Sequence, residues 1–303
     1  MERLIFAFLV APGELEDQAL ILTQSIRAFA GDFSQSSVWL LIPENLQLSA
    51  GGDVGLRSLG VRFIPFAIDD TAMSFPFAGK VFAASMAETT ARDQTDLLLW
   101  MDTHSLLLNE PRKIFLNPGK VLGYRPVDHT LIGSRYEQPL DPFWERIYSD
   151  CQVPETAIFP MTTSVDEVQI RPYFNASFLV VRPEKGLLQM WCEHFHRVYQ
   201  EPVYERFYAQ DGLYRIFIHQ AILAGTVLSS LEQRELQELS YLVNYPLHMH
   251  AQYPDDLRPM FLNELITCRY ETTFEDPDWE DAIRVKEPLR SWLIERLGSK
   301  AKP

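Results

Sequence analysis

The chain reads as an α/β protein with a mainly parallel central sheet flanked by helices and a mixed sheet in its C-terminal half. Three observations predict this. Short apolar runs alternate with amphipathic stretches through the first hundred residues, the pattern of successive βαβ units. After Met101 the regular repeat gives way to proline-punctuated short runs. A further apolar run, Phe178-Leu179-Val180-Val181, shows that the core continues beyond that break.

The elements follow in order. Leu4 to Val10 is a first buried strand. It is short for a signal-peptide apolar region, and Ala11-Pro12-Gly13-Glu14 leads straight into a helical pattern. Glu14 to Phe29 is a helix with Gly31 as its terminator. Val38 to Ile42 is the second strand, the stretch around Val54 to Leu59 a helix ended by Gly60, and Val61 to Pro65 the third strand. Phe77 to Arg92 is a helix, and Leu97 to Met101 a fourth strand. Prolines from Pro111 to Pro172 mark insertion and mixed sheet. Phe178 to Val181 is a strand closed by Arg182-Pro183, and helical patterns cover Glu184 to Tyr199 and Gly212 to Ala224. One domain is expected over 1–274. The acidic turn Glu275-Asp276-Pro277-Asp278 then opens a C-terminal helical extension over 275–303.

Hydrophobic residues make up 47% and charged residues 22% of the 303, enough apolar material for a sizeable core and too little charge for a disordered chain. The net charge of −14 removes the attraction that drives nucleic-acid binding, so no nucleic-acid partner is expected. The same field opposes a phosphorylated ligand, which then needs local positive charge or a metal ion. Cys151, Cys192 and Cys268 are odd in number and widely spaced. That suits neither a disulfide framework nor a zinc site and points to a reducing, cytoplasmic setting. No stretch approaches the roughly 20 apolar residues of a membrane span. Nothing in the sequence sets an oligomeric state.

Asp102 directly follows the Leu97–Met101 run. The carboxyl ends of strands are where open α/β sheets leave a crevice for ligands; a turn-capping carboxylate is the structural alternative. Glycine-rich dinucleotide, Walker and nucleophile-elbow motifs are absent, which argues against dinucleotide, ATPase and α/β-hydrolase functions.

Asp102-Thr103-His104 resembles the Asp-x-Asp motif of GT-A glycosyltransferases, the glycogenin-like and related families, with histidine at the second acidic position. Further segments follow in that family's order. Phe77-Ala78-Gly79-Lys80-Val81-Phe82 opens the preceding helix, Tyr173-Phe174-Asn175-Ala176-Ser177 is similar to a segment lining the sugar pocket, and His219-Gln220 resembles an Asp-Gln pair with its acid replaced. The resemblance spans roughly Met1 to His250. It implies a GT-A, nucleotide-diphospho-sugar transferase fold and transfer of a sugar from a nucleotide-diphosphate donor to an unidentified acceptor. It also implies that Asn175, Ser177 and Gln220 line the reacting centre, and that Lys80 and Asp102 serve the donor. A cation, manganese with magnesium the second candidate, would be held by Asp102, His104 and a late histidine, His248 or His250. In an extended segment those two would point the same way. Because imidazole is a poor magnesium ligand, the substitution either retunes the metal or marks its loss. The rival reading is a GT-A scaffold that binds a ligand or partner without turnover, and between the two stands a metal-independent transferase that uses basic residues in place of the cation. Arg125 and Arg135 are secondary candidates for phosphate, and Asp166 and Asp211 for a carboxylate near the acceptor; His194 and His196 read as structural.

Overall fold

The computed structural model describes residues 2–298. Its strands are β1 (Leu4–Leu9), β2 (Ser37–Pro43), β3 (Arg62–Phe66), β4 (Leu97–Met101), β5 (Ser105–Leu107), β6 (Leu122–Pro126), β7 (Met161–Thr162), β8 (Gln169–Ile170), β9 (Phe174–Val181), β10 (Leu236–Glu238), β11 (Tyr245–Pro246) and β12 (Thr267–Arg269). The helices are α1 (Glu14–Phe29), α2 (Ala50–Ser58), α3 (Asp70–Met73), α4 (Ala78–Ala91), α5 (Pro142–Asp150), α6 (Leu187–Val198), α7 (Pro202–Gln210), α8 (Gly212–Ser230), α9 (Trp279–Ala282) and α10 (Leu289–Arg296).

The principal sheet runs β10-β6-β9-β4-β1-β2-β3. Strands β3, β2, β1 and β4 are parallel, β9 is antiparallel to both β4 and β6, and β10 pairs parallel with β6. Every residue of β4 and β9 is buried, because layers cover both faces, and such strands read as continuous apolar runs. One face packs through Ile5, Ala7, Leu98 and Trp100 against helices that include α4, α6 and α8. The other buries Leu4, Phe6, Phe8, Leu97 and Leu99 with α1.

α1 and β4 have the predicted limits, and Gly31 and Gly60 take the left-handed φ that ends a helix, at 57° and 70°. β9 begins at Phe174, not Phe178: Asn175 and Ser177 interrupt the apolar run but bond each other and the loop residues Asp128 and Asn244. α8 continues to Ser230, beyond the predicted Ala224. The predicted start of α6 at Glu184 is a 3-10 turn, Pro183–Lys185, followed by Gly186 at φ 68°.

A second sheet, β11-β12-β5, lies over a third apolar cluster that joins Ile21, Leu106 and Tyr245 to Phe274, Trp279, Leu289 and Leu293. The expected extension over 275–303 is described as far as Gly298, and 299–303 lie outside the described residues.

Antiparallel insertion of β9 places its beginning beside the carboxyl end of β4. Asp102 N donates to Ser177 O at 2.9 Å, so the crevice at the end of the parallel strands meets the start of β9 there.

Candidate functional site

Asp102 leaves β4 at this crevice, and Lys80, in the first turn of α4, reaches it: Lys80 Nζ lies 2.6 Å from Asp102 Oδ2, with the two side chains 9% and 12% exposed. Lys80 also sits over the ring of Phe77, 4.7 Å from its centroid. Phe77 stacks on His219 at 4.6 Å and holds φ at 60°, a left-handed conformation that a bulky residue keeps only when its surroundings fix it. Phe77 is nevertheless 43% exposed.

The ion pair separates two cavities. One, of about 230 Å³, is largely apolar, with Leu9, Leu15, Met73, Phe75 and Met101 in its wall. The other, of about 350 Å³, is lined by Asp128, Asn175, Ser177, Gln220, His248, Arg269 and Glu271, among others. Phe77, Lys80, Asp102 and His104 belong to both walls.

In the polar cavity nearly every functional group is engaged. Arg269 forms a buried ion pair with Asp128, which Asn175 Nδ2 approaches at 3.4 Å. Asn175 Oδ1 accepts from Ser177 N at 3.0 Å and Ser177 Oγ at 2.5 Å. Asn244 Nδ2 donates to Ser177 Oγ at 3.1 Å, and Gln220 Oε1 accepts from Ala176 N at 2.9 Å. Thus Asn175, Ser177 and Gln220 do reach one cleft with Asp102, and they also hold the start of β9 in place. His104 Nε2 lies 2.8 Å from Glu271 Oε1. Burial alone would raise the Glu271 pKa, but the bond and charge of His104 bring it below the ordinary carboxylate value. His219 is buried, its Nδ1 2.9 Å from Ile216 O. Burial first, and Lys80 second, hold its pKa well below 6.5, so it is neutral.

Of the expected metal ligands, Asp102, His104 and His248 line the polar cavity together, but His250 does not. The segment carrying His248 and His250 is a 3-10 helix, Leu247–Gln252, not an extended strand. Two residues in a three-residue turn diverge: His248 lines the polar cavity, whereas His250 Nδ1 pairs with Tyr245 OH at 2.9 Å. Burial lowers both pKa values, helped by Arg269 at His248 and Arg258 at His250. Among the described residues, no group of three or more His, Cys, Asp or Glu side chains is placed to hold a metal ion.

The secondary candidates fall outside both cavities. Arg125 bonds Leu239 O at 2.8 Å, and Arg135 forms a bridge with Ile170. Asp211 caps α8 by accepting from Leu213 N; Asp166 lies 2.5 Å from His129 Nδ1 and accepts from Thr130 N. His194 meets Thr226 Oγ1 at 2.9 Å on α6, and His196 packs edge-on to Phe82. Sequence reasoning passed over Arg269, Asp128, Glu271 and Phe77. Phe77 alone carried a local signal, an aromatic residue just before a helix and three residues from Lys80.

Residues 6–225 match the family described as the Rhodobacterales glycosyltransferase domain, and the chain belongs to that family. Its fold is the GT-A type of the glycosyltransferase LgtC. An LgtC active-site mutant aligns over 97% of this chain and 95% of its own, with 14% identity and a TM-score of 0.53. Galactosyltransferase LgtC in complex with donor and acceptor sugar analogs aligns over 98% and 95%, with 16% identity and a TM-score of 0.50. The bifunctional glycosyltransferase WbbM, in its apo form, shares 10% identity at a TM-score of 0.51; the alignment takes in 98% of this chain and 52% of WbbM. No curated protein sequence matches the chain. Among the described residues no helix is long and apolar enough to cross a membrane.

Proposed function

We propose that this glycosyltransferase moves a sugar from a nucleotide-diphosphate donor to an acceptor hydroxyl, with the donor's nucleoside in the apolar cavity and its sugar and the acceptor in the polar one. The observation that carries this is the Lys80–Asp102 pair in the wall common to both cavities, where a diphosphate joining nucleoside and sugar would lie. Lys80 has three donors and spends one on Asp102. The other N–H groups face the leaving diphosphate, whose negative charge grows as the bond to the anomeric carbon breaks. The acceptor oxygen bonds to the anomeric carbon as the bond to the diphosphate breaks, and its proton passes to the departing diphosphate oxygen. Asn175, Ser177 and Gln220 shape the pocket around the transferred group. The three free cysteines suit the cytoplasm.

The rival reading, binding without turnover, draws on His104 and His219 at the two positions where the resemblance expects acids. Assay of nucleoside diphosphate released from a panel of nucleotide sugars, alongside calorimetric binding, separates the two. Release above the uncatalysed rate, lost in Lys80→Met, is the expected result. Saturable binding with no release, with or without acceptor sugars, would establish the scaffold; no binding at all would remove the nucleotide-sugar reading.

A further inference from the structure

We propose that this cleft binds the phosphate of its nucleotide ligand without a divalent cation, with Lys80 in the position where a metal ion would be needed. The inference rests on the nucleotide-sugar reading of the cleft, and it comes from a misfit between that reading and the donor groups present.

Hard divalent cations take about six oxygen ligands, several of them carboxylate or carbonyl. Three carboxylates line the polar cavity, and a group of this chain already engages each one. Asp102 is paired with Lys80 at 2.6 Å, Asp128 with Arg269, and Glu271 with His104 at 2.8 Å. Two of these pairs are nearly sealed from water: Lys80 and Asp102 are 9% and 12% exposed, Arg269 and Asp128 9% and 11%. Lys80 holds Asp102 Oδ2, so a cation at Asp102 would be left the other oxygen and would sit beside a buried ammonium, with the repulsion between the two positive charges opposing it. His248 Nδ1 is buried without a partner, but one imidazole nitrogen near Arg269 is no site for a hard cation. His250 is turned toward Tyr245.

The chain instead supplies positive charge at the crossing of the two cavities. The stem of Lys80 is buried and its ammonium rests over Phe77, so it is held in place before any ligand arrives. It belongs to the first turn of α4, which has no acidic residue. The positive end of the helix dipole adds to the potential there.

Asp102→Asn gives the decisive experiment, because the two mechanisms predict opposite signs. Amide oxygen can still accept from Lys80, but the negative charge beside the phosphate is gone. Calorimetry would follow binding of UDP and GDP to the full chain in EDTA and again in excess manganese, with thermal unfolding to confirm that each variant folds. The expected results are affinities within about threefold of each other in the two buffers, and unchanged or tighter binding by Asp102→Asn. Lys80→Met should weaken binding by about tenfold or more, with Lys80→Arg retaining most of it. Binding that appears only with manganese and disappears in Asp102→Asn would overturn the inference and leave the transferase reading standing. Binding indifferent to Lys80→Met would overturn the role given to Lys80. Failure of both nucleotides to bind in either buffer would overturn the inference and the nucleotide reading together.

Discussion

The two cavities that meet at Lys80 and Asp102 are built by different means. The apolar one is assembled from the ends of parallel strands and the start of a helix, through Leu9, Met101 and Gly79. Its shape follows from the core of the sheet and carries few interactions of its own. The polar cavity draws Asp128, His248 and Arg269 from separate loops and short strands, and buried ion pairs and amide bonds hold it together. Damage to the first should therefore alter ligand affinity with little effect on stability, whereas damage to the second should unsettle the fold as well.

The largest effect is expected at Arg269. Arg269→Met leaves Asp128 buried without its partner, and breaking such a pair costs about 3–5 kcal/mol. Denaturant titration should show this loss, and Asp128→Asn combined with Arg269→Met should recover a good part of it, because no lone charge remains. A loss below about 1 kcal/mol, the range of an exposed pair, would mean that the polar cavity is held by its amide network and not by charge.

On the wall shared with the apolar cavity, Phe77→Gly tests the opposite limb. Glycine takes the left-handed conformation at φ 60° without a side-chain penalty, and the lost side chain is 43% exposed. Stability should change by no more than about 1 kcal/mol. UDP affinity should fall by a factor of about five to ten, since the ring under Lys80 and beside the ligand is gone. A large stability loss with unaltered affinity would reverse the comparison, making Phe77 a structural residue.

This division also explains what the sequence disclosed. The parallel strands could be read because burial on both faces makes them apolar runs, and Asp102 because it ends one of those runs. Asn175 and Gln220 were found through ordered similarity to a family, not through any pattern of their own; they lie on β9 and α8 and line the polar cavity. Arg269 and Asp128 were invisible: they stand 141 residues apart in the chain, and β12 has only three residues, too few to show a period. The pairing of β12 with β5 is what brings Arg269 to the cleft. His248 and His250 misled because two-residue spacing means one face only in a strand, and Leu247 opens a 3-10 helix there.

The last effect concerns pH, and it too should fall on the polar side. His219 and His248 line that cavity, and folding holds both below the ordinary value of 6.5, mainly through burial, with Lys80 and Arg269 as the respective second causes. Above 6.5 the two groups are neutral whether the chain is folded or not, and their contribution to stability is complete. As pH falls below 6.5 the unfolded chain takes up protons that the folded chain refuses, so stability drains until the depressed folded values are reached. The limiting slope is about 1.4 kcal/mol per pH unit for each group. Urea titrations at pH 7.5 and, roughly two units lower, at about pH 5.5 should therefore show a clear loss in the wild-type chain. His219→Gln removes one titrating group while keeping a polar side chain beside Phe77, and should reduce that loss by up to about 1.4 kcal/mol. An acid loss identical in the variant and the wild type would show that His219 can be protonated in place, and that the polar cavity is more open to water than its burial indicates.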